Sequence, residues 1–245
     1  MNCIFLRRGY GTSGDGVNYV EWIKSDGASY FNTQYKPNQN TSVEMVVSGW
    51  DSSQKSSSVF GSRVSSSGTS YMMMINASGV YRSDYGSSQV TFAGGLSFAD
   101  KVTILKEKNV TTIGDYSVTN TESTFSCTYP MYLFATNTGG SASHLSKTQI
   151  ESCKIRESGT LIHHYRAAVD PDSVACFYDE VSKTYEYGIG TFTAGASTSG
   201  GGSGGGTAPT QYAVNLTGTL TDENGRITIN GTQSTTGIVS SSNTA

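Results

Sequence analysis

Charge is what this chain has least of. Asp, Glu, Lys and Arg together make up 14% of its 245 residues, against roughly 25% in an ordinary soluble domain. The formal net charge is −3, and Arg7-Arg8 is the densest basic spot. A nucleic-acid footprint needs clustered Lys and Arg to displace counterions, so nucleic acid is not an expected partner. A run of about 20 apolar residues is missing too, which argues against membrane insertion. The opening Met1-Asn-Cys-Ile-Phe-Leu-Arg-Arg-Gly9 does not read as a signal peptide, because its charges follow a very short apolar stretch instead of preceding a longer one. Export by lysis or by assembly into a particle is the expectation. Cysteine is sparse and scattered. Cys3, Cys127, Cys153 and Cys176 form no CxxC or Cys/His cluster, so zinc is not expected. They read as small buried hydrophobes rather than as a disulfide framework.

What is present is Gly, Ser, Thr, Asn and Tyr, with hydrophobic residues at 36%, enough for a substantial core. Such a surface is polar without being ionic and suits an extracellular or virion setting. The dominant period is two. Ser42–Val47, Ser70–Ile75, Lys101–Leu105, Met131–Ala135, Ile150–Ile155 and Leu161–Tyr165 are short, rich in β-branched and aromatic residues, and bounded by Gly, Ser, Asn or Asp. They predict strands. Glu157-Ser-Gly-Thr160 joins two of them at hairpin spacing. No segment carries a helical stripe over a dozen residues, so the fold class is all-β, a sandwich or barrel.

The composition changes after Ala194. Residues 196–208 are a Gly/Ser linker, and residues 209–245 a small β segment. There Tyr212, Val214, Leu216 and Leu220 alternate with polar residues, a turn follows at Asp222-Glu-Asn-Gly225, and Ile227 and Ile229 return. A lone hairpin is marginal in water, so this segment is expected to attach to identical subunits or to other proteins of a particle. Residues 1–16, a strand-like Cys3–Leu6 and a spacer, are a second candidate anchor.

Residues 17–195 resemble a known family. Tyr19-Val-Glu-Trp-Ile-Lys-Ser-Asp-Gly-Ala-Ser-Tyr-Phe-Asn-Thr-Gln-Tyr-Lys-Pro-Asn38 is similar to the opening of concanavalin/laminin-G-like jelly rolls of gut bacteriophage structural proteins and gut bacterial surface proteins. Val59-Phe-Gly-Ser-Arg63, Tyr129-Pro-Met-Tyr-Leu-Phe-Ala-Thr-Asn137, Ser152-Cys-Lys-Ile155 with Gly159-Thr-Leu161, Val169–Val174, Phe177–Ser182 and Gly190–Gly195 follow in the family's order. The resemblance implies a jelly-roll sandwich. It also implies a virion structural protein, as head decoration, head fibre or tail-fibre adhesin, that displays a lectin-like domain toward host or mucus glycans. A bacterial extracellular surface is the alternative location, and a purely structural decoration protein the alternative role.

Catalysis is not expected. A retaining glycosidase needs two carboxyls about 5 Å apart on one face, yet no E-x-D-x-(x)-E phrase occurs and Asp179 and Glu180 are adjacent, hence on opposite faces. No nucleophile elbow is evident. Of His144, His163 and His164, the last two are neighbours in a strand and cannot share a metal; one is expected inward and hydrogen-bonded, the other in solvent. No cofactor is expected. Calcium is the one ion to consider, through Asp170 and Asp172, although the proline turn between them predicts capping carboxylates. Sugar binding needs aromatic faces beside amides and carboxylates. The candidates are Trp50-Asp51, after a strand, and the loop-like Tyr81-Arg-Ser-Asp-Tyr85, which supplies Tyr81, Arg82, Asp84 and Tyr85. Trp22, inside an alternating strand, is expected in the core.

Overall fold

A computed structural model describes residues 15–198. The expected linker and C-terminal β segment, the anchor strand Cys3–Leu6 and the thiol of Cys3 lie outside those residues.

Nineteen strands and no helix make up the described residues. In chain order they begin with β1 (Asn18–Tyr19), β2 (Ile23–Ser25), β3 (Phe31–Asn32), β4 (Thr41–Ser48), β5 (Ser57–Arg63) and β6 (Ser70–Ile75). Then come β7 (Tyr81–Gly86), β8 (Ser88–Thr91), β9 (Val102–Glu107), β10 (Val110–Ile113), β11 (Tyr116–Thr119), β12 (Tyr132–Leu133) and β13 (Thr136–Thr138). The last are β14 (Ser141–Ser143), β15 (Gln149–Glu157), β16 (Thr160–Val169), β17 (Ala175–Asp179), β18 (Thr184–Glu186) and β19 (Phe192–Ala194). One sheet of 11 strands runs β11-β10-β9-β4-β15-β16-β17-β18, with β1, β2 and β19 attached. The other, of 8, runs β14-β13-β5-β6-β7-β8, with β3 and β12 attached. Pairing is antiparallel except between β13 and β5. The two sheets pack face to face as a β-sandwich, the all-β class that the alternation predicts.

β4 shows the principle. Val43, Met45 and Val47 are buried, while Ser42, Glu44, Val46 and Ser48 alternate outward. Each fully buried aliphatic side chain is worth about 1.5–3 kcal/mol. Ile150, Cys153 and Ile155 of β15 and Tyr165, Ala167 and Phe177 beyond them continue the inner face. Tyr71, Met73 and Ile75 of β6 meet them from the smaller sheet. Cys127, Cys153 and Cys176 are free and buried.

Two expected elements differ. Met131–Ala135 pairs only at Tyr132–Leu133, because Phe134 takes φ 63° and turns the chain; its amide then bonds the carbonyl of Val59. The loop-like Tyr81–Tyr85 is β7, a central strand between β6 and β8.

The core also holds a charge-bearing residue. Lys106 of β9 faces inward and is fully buried. Its Nζ donates to Ser83 Oγ at 2.6 Å and Thr111 Oγ1 at 3.1 Å, and it lies over the rings of Tyr71 and Tyr85. Asn120 Oδ1 accepts from Ser83 Oγ at 2.9 Å. This polar knot joins the two sheets. Burial pushes the Lys106 ammonium down to about 7, against the opposing pull of Asp84.

Candidate functional site

The residues expected to meet sugar divide three ways, and their rings are not accessible. Trp50 is fully buried, donates Nε1 to Ser57 Oγ at 3.3 Å, and meets Tyr81 edge-on at 4.8 Å. Tyr81, 1% exposed, donates its hydroxyl to the Trp50 carbonyl at 2.6 Å. Tyr85 packs edge-on against Phe125 and donates to the Gln39 carbonyl. In β7 the residues at 81, 83 and 85 point inward, so both tyrosines belong to the core. Asp51 caps a turn through the amide of Ser53. Arg82 and Asp84 pair with each other on the outer face of the smaller sheet, at 2.8 Å. A stacking platform needs a free ring face, and Trp50, Tyr81 and Tyr85 offer none.

Asp170 behaves as a turn cap. Its Oδ1 accepts the amides of Asp172 and Val174, and its Oδ2 accepts the hydroxyl of Tyr187 at 2.7 Å. Among the described residues no group of three or more His, Cys, Asp or Glu side chains is placed to hold a metal ion.

His163 points to Asp179, Nδ1 to Oδ2 2.8 Å, and stacks on Tyr165. Asp179 also accepts the amides of His164 and Val181 and the hydroxyl of Ser182. Ser182 thus sits on the carboxylate and not on the imidazole, which is not the order of a nucleophile and its base. His164 points outward, yet it is not in open solvent: its Nδ1 lies 2.6 Å from Glu180 Oε2. Burial holds its pKa below the ordinary histidine value despite Glu180. A neutral ring that donates through Nδ1 keeps Nε2 as an acceptor.

A concavity lies elsewhere, on the outer face of the 11-stranded sheet. A cleft of about 660 Å³ is floored by Val46 and Ser48 of β4, Gln149, Glu151 and Ser152 of β15, and His164 and Arg166 of β16. Register explains the floor. The pairing of β15 with β4 shifts between Ile150 and Ser152, so Glu151 is an extra residue, and a bulge of this kind re-aims side chains. The segment Val20–Trp22, with Thr198, forms a wall, and Lys101 lies at the rim.

Trp22 is therefore not core. It sits between β1 and β2, half-buried, with its indole against Gly195, where a Cβ would come within 2.9 Å of Cε2. Fixed polar groups surround it. Ser48 Oγ donates to Gln149 Oε1 at 2.7 Å, and Lys101 pairs with Glu151 at 2.5 Å. Arg166 bonds Glu180 at 2.9 Å and lies 3.7 Å from the centroid of the Tyr19 ring. One partly exposed indole beside hydroxyls, an amide, carboxylates and an imidazole acceptor can stack on an apolar sugar face and bond the hydroxyls around it. The outward polar positions of β4 and β15 were visible in the alternation; the Val20–Trp22 wall was not, because nothing local distinguishes a wall from a strand.

Compared with known proteins, the sequence matches no family model and no curated protein. The class that the structure defines is an all-β, two-sheet sandwich with a polar cleft on its larger face.

Proposed function

We propose that this protein is a non-enzymatic, surface-displayed carbohydrate-binding sandwich, carried on a virion as a decoration or fibre component, and that its ligand is a neutral glycan of the host or of mucus. The observation that carries the reading is the cleft beside Trp22, which combines one partly exposed aromatic ring with hydroxyl, amide and carboxylate groups on a sheet. Two cations, Lys101 and Arg166, are already matched by Glu151 and Glu180, which favours an uncharged ligand. The virion setting rests on the ordered phrases of residues 17–195 and on the weakly ionic composition; attachment would fall to residues 209–245 or to the N-terminal strand, through identical subunits or other virion proteins.

A glycan array tests it, followed by titration of any hit. Trp22→Ala and Gln149→Ala are each expected to weaken binding at least tenfold with the β-type circular dichroism spectrum retained. Hits that both variants bind as well as the parent would refute the cleft. An array without hits would favour a decoration protein with no ligand.

A further inference from the structure

On the opposite side of the sandwich, the outer face of the smaller sheet carries an unbalanced cation. Arg63, at the end of β5, is half-buried. Its Nε donates to Thr138 Oγ1 at 2.8 Å and its Nη2 to His144 Nε2 at 2.8 Å. Neither partner is an acid, and among the described residues no carboxylate lies within ion-pair distance of it. Burial disfavours its charge most; nearby Asp84 favours it, and Arg82 disfavours it. That carboxylate is engaged by Arg82, whose Nη2 donates to Oδ2 at 3.0 Å and whose Nε lies 2.8 Å from Oδ1, and Ser70 and Gln89 add bonds to Oδ2 at 3.3 Å each. Two guanidiniums and one carboxylate leave a net charge of +1.

The cluster is built, not draped. The backbone of His144 is pinned to β5, its carbonyl accepting the Ser58 amide at 2.7 Å. At Gly61 a Cβ would meet Met72 Cβ and Thr136 Oγ1, each at 2.7 Å, so β5 packs tightly against β6 and the Thr136 strand there. Met72 and Met74 of β6 are buried. His144 is held at φ 51°, a left-handed conformation that costs about 1–3 kcal/mol and gathers at ligand sites. Its Nδ1 bonds the Ser56 carbonyl at 3.1 Å, a contact that only an N–H can make, so in the neutral ring Nε2 is the acceptor toward Arg63. The charged groups facing His144 are Arg63 from β5 and Arg82 from β7; both oppose its protonation.

We propose that Arg63, with His144 and Arg82 beside it, is a binding site for a carboxylate group. Of the five N–H donors of a guanidinium, two are used by Thr138 and His144, which leaves three; a planar carboxylate accepts two parallel N–H bonds from such a group. It would also supply the missing negative charge. The neutral ring of His144 orients that guanidinium, since protonation at Nε2 would remove the acceptor that Arg63 uses. This site is separate from the cleft and does not depend on it.

The test is NMR titration of the full chain, reading the Arg63 Nε–Hε signal and the His144 ring, with acetate, D-glucuronate, D-glucose and sodium chloride at matched ionic strength. Acetate and glucuronate are expected to give saturating shifts in the millimolar range, while glucose and chloride give none. Tighter binding of glucuronate than of acetate would assign the source to an acidic sugar; equal binding would assign it to a bare carboxylate. Arg63→Met should lose at least tenfold in affinity. His144→Gln, whose amide can still accept from Arg63, should bind acetate within about threefold of the parent, and His144→Leu, which cannot accept, should bind more weakly than that; this pair keeps the test decisive if Arg63→Met does not fold. Shifts that are linear and identical for acetate and chloride, or acetate binding retained in folded Arg63→Met, would overturn the proposal.

Discussion

At the scale of single residues, Lys106 shows how a polar side chain hides inside a strand. In Val102–Glu107 it follows Ile104 by two, so alternation alone sends it inward; what residue type discourages, the register imposes. Its environment sets a pH response. The folded-state value is about 7 and the ordinary one 10.5. Between these the unfolded chain holds a proton that the folded one lacks, so stability rises with pH, by at most about 1.4 kcal/mol per unit. The buried thiols act in reverse: burial raises Cys127 to about 11 and holds Cys153 and Cys176 up as well. Above about pH 8.5 the unfolded thiols ionise first and stability falls. The lysine therefore dominates from pH 7 to 8.5. Urea unfolding across that window should show the rise in the parent and a flat profile in Lys106→Met. The variant is also expected to be more stable at pH 7 by about 1–3 kcal/mol, since Ser83 and Thr111 are 2.7 Å apart and bond each other. A steeper slope in the variant would contradict this account. Trp22 and Tyr81 teach the converse at this scale: an aromatic reads the same in sequence whether it ends in the core or on a rim, and only the partner across the sheet decides.

At the scale of elements, the strands with strict alternation were legible, and so was one turn. Glu157 pairs with Thr160, closing a two-residue hairpin between β15 and β16 as the spacing predicts. Ser158 at φ 50° and Gly159 at φ 84° make it a type I′ turn, whose twist suits the flanking strands. Asn tolerates the left-handed region better than Ser, so Ser158→Asn should raise the unfolding free energy by about 0.5 kcal/mol, whereas Gly159→Val should lower it by about 1–2 kcal/mol. Thermal melts of both variants check the signs; equal melting points would mean that the turn does not set the register. β7 was illegible for a physical reason. Its inward positions are Tyr, Ser and Tyr, with a serine where a strand normally shows an aliphatic, because Ser83 must meet Lys106 across the core. A strand cut to fit a buried amine looks like a loop when read alone. The bulge at Glu151 escaped for a similar reason, since it is a property of pairing and not of the strand itself.

For the whole molecule, the all-β class followed from period and from turn residues, while the cleft depended on which distant segments come together. Those segments are the first and last of the described residues. β19 pairs with β2, the bridge Val20–Ser197 continues the ladder, and the Thr198 amide bonds the Tyr19 carbonyl at 2.9 Å. The chain thus arrives and departs side by side, on antiparallel neighbours, at the wall of the cleft. Tension between the two ends would meet that ladder from its open end. Hydrogen bonds in such a geometry carry load one after another, as in a zipper, rather than sharing it as strands in shear do. Optical-tweezer stretching from residues 15 and 198 should therefore show an early, low-force release of residues 192–198 before the main rip, and stretching from residues 159 and 198 should need more force for that first event. Equal first forces along both axes would disprove the zipper. Drag transmitted through both flanks would then peel the Trp22 wall first, so that a protein mounted by one flank would hold its ligand under flow better than one tethered by two.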